Sequence, residues 1–389
     1  MDSRALISRL RKTDWDFAGQ YSESPFSSIH WYPGRFVSQV PAALIGVLSD
    51  PDDLVLDPFV GSGTTLVQAQ RLGRRSVGFD INPVACLVSE AKVLAVPAAK
   101  LSCIIEDTIG DAEEQLAPQR TANAAPDRSG IVPSTVQLGK WYTPPVARSL
   151  SILWELIGSY SGSHRILTRA AFSGILLPVC RETRHWGYVC DNSRPKGNHS
   201  SNVLDEYSAF LRRLAAAYTS RDDELRVRSE GRAPQIAEAK VVWADARRGF
   251  PGLQPEQVHL VITSPPYFGV TDYVKSQRLS LEWFGECLDP LRLEEIGARS
   301  KRHRRSATEE YLVDVASVFR HVWEALRKGG HCIVVVGESA SRDSVVSAIR
   351  KGLASSSGLS LALDLNRRVS SQRRQAPSVT GEHILVYSK

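Results

Sequence analysis

The sequence predicts an α/β fold with a mostly parallel sheet of seven strands, flanked by helices. Seven short runs of apolar or β-branched residues have the length of strands, and helical patterns separate most of them, as at 64–72, 311–327 and 341–353. Alternating strands and helices are typical of a parallel sheet that helices cover on both faces. The predicted strands are 54–57, 76–80, 241–245, 259–264, 331–337, 359–365 and 383–388.

The last two predicted strands follow each other without an intervening helix, and Gly381 opens the final one. A parallel pair needs a long crossover connection, so this arrangement favours an antiparallel hairpin. We therefore expect the last strand to be antiparallel and to close an otherwise parallel sheet.

The alternation stops between Ala98 and Glu238, which divides the chain into three parts. Residues 1–97 hold an N-terminal segment and the first part of the α/β domain, and residues 239–389 hold its second part. Residues 98–238 are expected to form a mainly helical insertion, with one helical pattern at 143–160 and a flexible Pro- and Ala-rich segment at 117–130.

Composition narrows the class of protein. The chain is 42% hydrophobic and 23% charged, and it has no apolar run of the about 18 residues that a membrane span needs. The charged N-terminus leaves no apolar segment for a signal peptide, so we expect a cytoplasmic protein with no membrane partner. The six cysteines are scattered without metal-ligand spacing, so we expect reduced thiols and no metal.

The net charge of +6 is unevenly distributed, with dense basic clusters at 299–305 and 367–374. Such clusters contact phosphates in nucleic-acid-binding proteins, but they also occur in solvated loops. Charge alone leaves both interpretations open.

A glycine-rich loop follows the first predicted strand, in the segment LVLDPFVGSGTTLVQA (54–69). Gly61 and Gly63 allow the backbone to approach a ligand, and the helix that follows offers free N–H groups. Leu66 stands where the dinucleotide fingerprint has Gly or Ala, and no Gly-Lys-Ser/Thr follows. An adenosyl ligand without phosphates therefore fits better than a nucleotide. Asp80 ends the second strand, at the right distance for a carboxylate that binds ribose hydroxyls.

Two motifs carry a resemblance to a known family. DPFVGSGTT (57–65) together with TSPPY (263–267) resembles the S-adenosylmethionine-dependent amino-methyltransferases of DNA, particularly the cytosine-N4 group of restriction–modification systems. The segment HWYPGRF (30–36) is similar to a third family motif, with Arg35 where Lys is usual. The resemblance covers residues 30 to about 96 and 241–389, and the insertion matches no family motif.

The resemblance implies a Rossmann-like methyltransferase sheet that binds S-adenosyl-L-methionine without a metal. It implies that the glycine loop holds the methionine part of the cofactor, that Asp80 holds the ribose and that Asp245 lies near the adenine. The candidate cofactor-binding residues are Tyr32, Pro33, Arg35, Phe36, Asp57, Pro58, Phe59, Gly61, Ser62, Gly63, Thr64, Thr65, Asp80, Ile81, Asn82, Asp245 and Ala246.

The SPPY loop offers chemistry suited to an exocyclic amine, which is a poor nucleophile because its lone pair is delocalised into the ring. Ser264 Oγ and the carbonyl of Pro265 can accept hydrogen bonds from the amine and favour a more nucleophilic nitrogen. Pro265 and Pro266 fix the geometry of the loop, and Tyr267 offers a flat face for a base drawn out of the helix. No Pro-Cys pair, as in cytosine-C5 methyltransferases, occurs in the sequence. The candidate catalytic residues are Ser264, Pro265, Pro266 and Tyr267.

The first residue of the loop favours one target base over the other. In the family, S-P-P-Y accompanies cytosine N4 more often, whereas D-P-P-Y and N-P-P-Y accompany adenine N6. We expect a site-specific cytosine-N4 DNA methyltransferase in a restriction–modification or epigenetic system. An adenine-N6 DNA methyltransferase, an RNA or protein methyltransferase and a non-catalytic DNA-binding relative stay open as alternatives.

Double-stranded DNA is the expected partner, and a cognate restriction endonuclease is a second candidate. The insertion is the one segment long enough to form a target-recognition region. Alternatively, it forms a helical cap that covers the cofactor. In a prokaryotic cell the protein is expected to be nucleoid-associated when on DNA. Asp272, Tyr273, Lys275 and Arg278 are further candidates for the base pocket. The candidate DNA-binding residues are Arg184, Trp186, Lys196, Lys301, Arg302, Arg304 and Arg305.

Overall fold

A computed structural model describes residues 3–17, 24–34, 37–117, 132–182, 189, 195, 201–230, 235–338, 343–368 and 381–389. The strands are β1 (Leu54–Asp57), β2 (Arg75–Asp80), β3 (Ala239–Trp243), β4 (Val258–Thr263), β5 (Leu326–Glu338), β6 (Ser360–Arg368) and β7 (Gly381–Ser388). They form one sheet in the order β3-β2-β1-β4-β5-β7-β6. The first five strands are parallel neighbours, and β7 pairs antiparallel with both β5 and β6. The predicted strands and the antiparallel last strand are confirmed.

One strand is longer than its apolar run. β5 begins at Leu326, which pairs with Val258, and the next pair is Leu260 with His331. The residues between Leu326 and His331 bulge out of the ladder, and Gly329 adopts a φ of +73° there. The sequence of this bulge is polar and glycine-rich. A prediction based on runs of apolar residues therefore misses the start of the strand.

The helices cover the sheet and build the insertion. They are α1 (Ser3–Lys12), α2 (Gln39–Leu48), α3 (Thr64–Arg71), α4 (Pro83–Glu90), α5 (Ala98–Leu116), α6 (Leu138–Trp141), α7 (Pro144–Ser159), α8 (Gly162–Ile175), α9 (Val203–Arg228), α10 (Tyr273–Ser276), α11 (Arg278–Trp283), α12 (Leu288–Glu294), α13 (Ala307–Ala325) and α14 (Asp343–Ser357). The helices predicted at 64–72, 143–160, 311–327 and 341–353 correspond to α3, α7, α13 and α14.

The insertion shares an apolar core with the glycine-loop side of the sheet. Leu66 of α3 belongs to the same buried cluster as residues of α5 and α9. Arg221 of α9 is 1% exposed and donates hydrogen bonds of 2.7 Å to the carbonyl oxygens of Leu94 and Val96. A buried guanidinium needs such partners, so α9 is fixed to the chain just before the insertion begins.

In the part of the chain that the structure describes, no helix combines the length and apolar character needed to cross a membrane.

Candidate active site

A cavity opens at the carboxyl edge of the sheet, where the loops after β1, β2, β3 and β4 converge. Counted out to its open mouth, solvent-filled space included, it encloses about 910 Å³. The sheet edge explains the convergence, because parallel strands all end on the same side. The predicted cofactor residues that line it are Tyr32, Pro33, Asp57, Pro58, Phe59, Gly61, Ser62, Thr64, Thr65, Asp80, Ile81, Asn82, Asp245 and Ala246.

The two glycines of the loop have different roles. Gly61 adopts a φ of +48°, lines the cavity and donates its amide N–H to Asp80 Oδ2 at 3.0 Å. Gly63 adopts a φ of +79° at the start of α3, and a Cβ there would lie 2.9 Å from Ser89 Oγ of α4. Gly63, predicted to bind the cofactor with Gly61, is not among the residues that line the cavity and allows the loop to pack against α4.

Asp80, at the end of β2, accepts backbone hydrogen bonds with both carboxylate oxygens, from Gly61 and, at 2.9 Å, from Asn82. Burial raises the pKa of Asp80 to about 6, although these hydrogen bonds act in the opposite direction. An ionised carboxylate has about four lone-pair sites. Asp80 therefore keeps acceptor capacity for a ligand while its own position is fixed by the loop.

Asp57, at the end of β1, connects the glycine loop to the strand before the SPPY loop. Its Oδ1 accepts hydrogen bonds from the amide of Phe59 at 3.1 Å and from the hydroxyl of Thr263, the last residue of β4, at 2.8 Å. Burial raises the pKa of Asp57 to about 6, against the effect of its hydrogen bonds. The two candidate loops thus start from positions that one side chain holds together.

The wall beyond β3 depends on Arg247, which the sequence did not indicate. Arg247 donates from Nε to Asp245 Oδ1 at 3.0 Å, and it also forms ion pairs with Glu294 and Asp314. Burial would raise the pKa of Asp245, but the hydrogen bonds and charge of Arg247 outweigh it and hold this pKa below its usual range. Asp245 lines the cavity as predicted for a residue near an adenine, but its carboxylate already binds Arg247 and so helps to fix the wall at Glu294.

The four residues of the SPPY loop are not equivalent. Ser264 and Pro266 line the cavity, whereas Pro265 is buried outside its wall. The carbonyl oxygen of Pro266 accepts a hydrogen bond of 3.0 Å from the hydroxyl of Tyr311 in α13. Tyr267 is half-buried next to the cavity, and its hydroxyl donates to Glu382 Oε1 at 3.1 Å.

Tyr273 and Glu295 complete the wall opposite the glycine loop. The Tyr273 ring stacks on Tyr32 with centroids 6.1 Å apart, and its backbone amide donates to Glu295. Burial raises the pKa of the Glu295 carboxyl to about 7, and both residues line the cavity. Asp272, predicted beside Tyr273, instead accepts the amide hydrogen of Ser300 at 2.7 Å.

The basic segment 299–305 lies directly against the loop that follows SPPY. Gly269 donates its amide to the carbonyl of Gly297 at 2.8 Å, and Arg299 donates to the carbonyl of Thr271 at 3.1 Å. Arg302, Arg304 and Arg305 are exposed on this segment.

Lys301 differs from its three basic neighbours. Its Nζ donates hydrogen bonds of 2.7 Å to the carbonyl oxygens of Leu293 and Glu295 at the end of α12. Lys301, predicted to contact phosphate, therefore holds the cavity wall through these two bonds.

Five predicted residues lie outside the described residues: Arg35, Phe36, Arg184, Trp186 and Lys196. Among the residues that are described, no group of three or more His, Cys, Asp or Glu side chains is arranged to hold a metal ion.

Residues 8–91 match the DNA methylase family. This region runs from α1 to just past α4 and contains the glycine loop and Asp80. The chain is also 37% identical to the type II methyltransferase M.MjaII of Methanocaldococcus jannaschii over 108 residues, which is 26% of the chain and 20% of that relative. It is 25% identical to the type II methyltransferase M.MvaI of Kocuria varians over 270 residues, 67% of the chain and 58% of that relative. These matches therefore span less than two thirds of either relative.

Among solved structures, the rRNA methyltransferase aviRa of Streptomyces viridochromogenes is 12% identical, with 96% of each chain covered and a TM-score of 0.40. A similarity this weak says nothing about function.

Two functional residues that sequence reasoning missed, Arg247 and Glu295, share a property. Each lies in a segment without a motif and has a partner distant in sequence, Asp314 for Arg247 and Tyr273 for Glu295. Two signals were available: the run Asp245-Ala-Arg-Arg248 directly after a strand, and the acidic pair Glu294-Glu295 before a glycine. Neither has a spacing that distinguishes it from an ordinary turn.

Proposed function

We propose that this protein is an S-adenosylmethionine-dependent DNA methyltransferase that modifies the exocyclic N4 of a flipped-out cytosine in double-stranded DNA. The observation that carries the proposal is that Asp80 and Ser264 line one cavity, so the predicted cofactor loop and the predicted acceptor loop face the same space. Both sequence relatives are named type II methyltransferases, which supports a place in a restriction–modification system.

The residues of the cavity fit S-adenosylmethionine. Asp80 keeps free lone pairs for the two ribose hydroxyls. Gly61, whose φ of +48° favours glycine, presents a backbone without a Cβ to the cavity. Tyr32, Phe59 and Ile81 supply apolar surface for the adenosyl part. When bound, the cofactor supplies an electrophilic methyl group on a sulfonium.

The chain's own part in the chemistry is to prepare the amine. Ser264 offers a hydroxyl oxygen at the cavity wall, where it can accept a hydrogen bond from an exocyclic NH2. The carbonyl group of Pro265 is the second proposed acceptor. Tyr311 fixes the next carbonyl, that of Pro266, so the loop is held from α13 as well as by its two proline rings. A preorganised acceptor loses little conformational entropy when the base binds.

The basic segment 299–305 supports DNA as the substrate. Its exposed Arg304 and Arg305 lie on a segment joined to the catalytic loop by backbone hydrogen bonds. Phosphates of a duplex whose target base enters the cavity are suitable partners for these cations.

A single assay tests the proposal. The protein is incubated with S-adenosylmethionine labelled in its methyl group, together with mixed-sequence duplex DNA, RNA or protein, and the digested products are identified by mass spectrometry. We expect labelled N4-methylcytosine from DNA alone. Labelled N6-methyladenine would replace the assigned base, label in RNA or protein would replace the substrate, and the absence of any product would favour a non-catalytic DNA-binding protein.

A further inference from the structure

Three residues form a row across the strands β5, β7 and β6 at the carboxyl edge of the sheet. Gly337 of β5 pairs with Glu382 of β7, and Glu382 pairs with Arg367 of β6. Side chains of directly paired residues project from the same face of a sheet. Next to the SPPY loop, the row therefore places the bare backbone of Gly337 beside the carboxylate of Glu382 and the guanidinium of Arg367.

The ring of Tyr267, in the SPPY loop, occupies the space that a side chain at Gly337 would fill. A Cβ on Gly337 would lie 2.5 Å from Cε2 of the Tyr267 ring, so only glycine permits the ring to lie so close to β5. The Tyr267 hydroxyl then reaches the second member of the row and donates to Glu382 Oε1 at 3.1 Å. The Tyr267 ring thus packs against β5, and its hydroxyl is hydrogen-bonded to β7.

Arg367 holds the carboxylate from the other side. Its NH1 lies 3.2 Å from Glu382 Oε2, and both side chains are well covered, with 2% and 14% exposed. A guanidinium stays charged when buried, so it needs the carboxylate as its counter-charge. The two oxygens of Glu382 therefore serve different partners, Arg367 through Oε2 and Tyr267 through Oε1.

We propose that Glu382, held by Arg367, is the positioning residue for Tyr267 and sets the plane of the ring on which the target base stacks. This inference rests on the proposed function, in which Tyr267 receives a flipped base. The two prolines restrict the backbone of the loop, but they leave the Tyr267 side chain free to rotate. The contact with Gly337 restricts the ring, and the hydrogen bond to Glu382 fixes its far end. Glu382 can reach the hydroxyl because β7 is inserted antiparallel between β5 and β6.

The test compares two double variants that both remove the buried charges. Glu382→Gln/Arg367→Met keeps an acceptor for the Tyr267 hydroxyl at position 382, whereas Glu382→Leu/Arg367→Met leaves that hydroxyl only its hydrogen bond with Ser264. We expect the Leu variant to methylate mixed-sequence duplex DNA with a kcat about 10-fold below that of the Gln variant, as the loss of one buried hydrogen bond would give. The KM for S-adenosylmethionine should be equal in the two. In a Tyr267→Phe background the difference in kcat should disappear. Equal kcat values in the original background, or a difference that persists with Tyr267→Phe, would overturn the proposal.

A second measurement does not depend on catalysis. With 3-fluorotyrosine incorporated at position 267, the fluorine resonance should be sharp in the wild type and in the Gln variant, and shifted or broadened in the Leu variant. An identical resonance in the Gln and Leu variants would show that Glu382 does not hold the ring. Failure of the wild type to methylate any substrate would instead contradict the proposed function, and the fluorine spectra would still decide whether Glu382 positions Tyr267.

Discussion

The acidic side chains after β1 and β2 are held largely by their own loops, whereas the loop after β4 is held by residues from distant elements. Asp57 binds the amide of Phe59 and Asp80 binds that of Asn82, each two positions further along the chain. Gly61, nineteen positions before Asp80, supplies its other amide from the neighbouring loop. The two carboxylates therefore take most of their hydrogen bonds from the turns that follow β1 and β2, and Thr263 of β4 adds one to Asp57.

The catalytic side has the opposite organisation. Tyr311, 45 positions from Pro266, holds the carbonyl of that proline, and Glu382, 115 positions from Tyr267, binds its hydroxyl. Gly297 accepts the amide hydrogen of Gly269. We infer that substitutions affecting the two carboxylates are concentrated in the turns after β1 and β2, while those affecting the SPPY loop are scattered over the C-terminal part.

The largest expected effect is on the cofactor side. Replacing Asp80 by Ala removes the acceptor for both ribose hydroxyls, and two hydrogen bonds to a charged group contribute together about 3–6 kcal/mol. Affinity for S-adenosylmethionine, measured by calorimetry, should fall by roughly 100-fold or more. Asp52→Asn, which removes an exposed carboxylate at the opposite edge of the sheet, is the matched control. A loss below threefold in Asp80→Ala would show that Asp80 does not bind the ribose.

Substitution of Ser264 should lower the rate of methyl transfer and leave cofactor affinity nearly unchanged. In Ser264→Ala the affinity for S-adenosylmethionine should stay within twofold of the wild type, because Asp57 and Asp80 are unchanged. The kcat for DNA methylation should fall by about 100-fold, since one preorganised partner of the reacting group is lost. Ser159→Ala, at an exposed helix end, is the control and should leave both quantities unchanged. Loss of cofactor affinity in Ser264→Ala would mean that the two sides are not separable.

The basic segment next to the catalytic loop should contribute a smaller effect. Arg304→Glu/Arg305→Glu should weaken duplex binding about 10-fold near physiological salt and lower the slope of log affinity against log salt by about 2. Arg327→Glu/Lys328→Glu makes the same change in charge with exposed residues at the amino end of β5 and should bind DNA like the wild type. Equal losses in the two variants would point to a general effect of net charge and against a contact at 304 and 305.

The same contrast explains which features the sequence could predict. The strands, the glycine loop and Asp80 follow from local patterns, because their partners lie within a few residues or on the adjacent strand. Arg247 and Glu382 act through side chains far away in sequence, and no spacing in the chain shows which segments will meet. The packing role of Gly63 could not be predicted for a related reason, since the contact that requires a glycine there is with Ser89 of α4.

The last prediction concerns pH and again separates the two sides. Burial raises the pKa of Asp80 to about 6, so the carboxylate is ionised at pH 8 and becomes protonated as the pH falls through 6. Protonation turns one acceptor into a donor, and bonds from ribose hydroxyls are lost. Affinity for S-adenosylmethionine should therefore be constant from pH 8 to 7 and about 10-fold weaker at pH 5. In Asp80→Asn the affinity should be weak and independent of this titration, whereas Ser264→Ala should follow the wild-type curve.

Because Asp57 also has a pKa of about 6, Asp57→Asn identifies which carboxyl group is responsible. A pH dependence that survives in Asp80→Asn but disappears in Asp57→Asn would move the cofactor's pH-sensitive contact from the end of β2 to the end of β1.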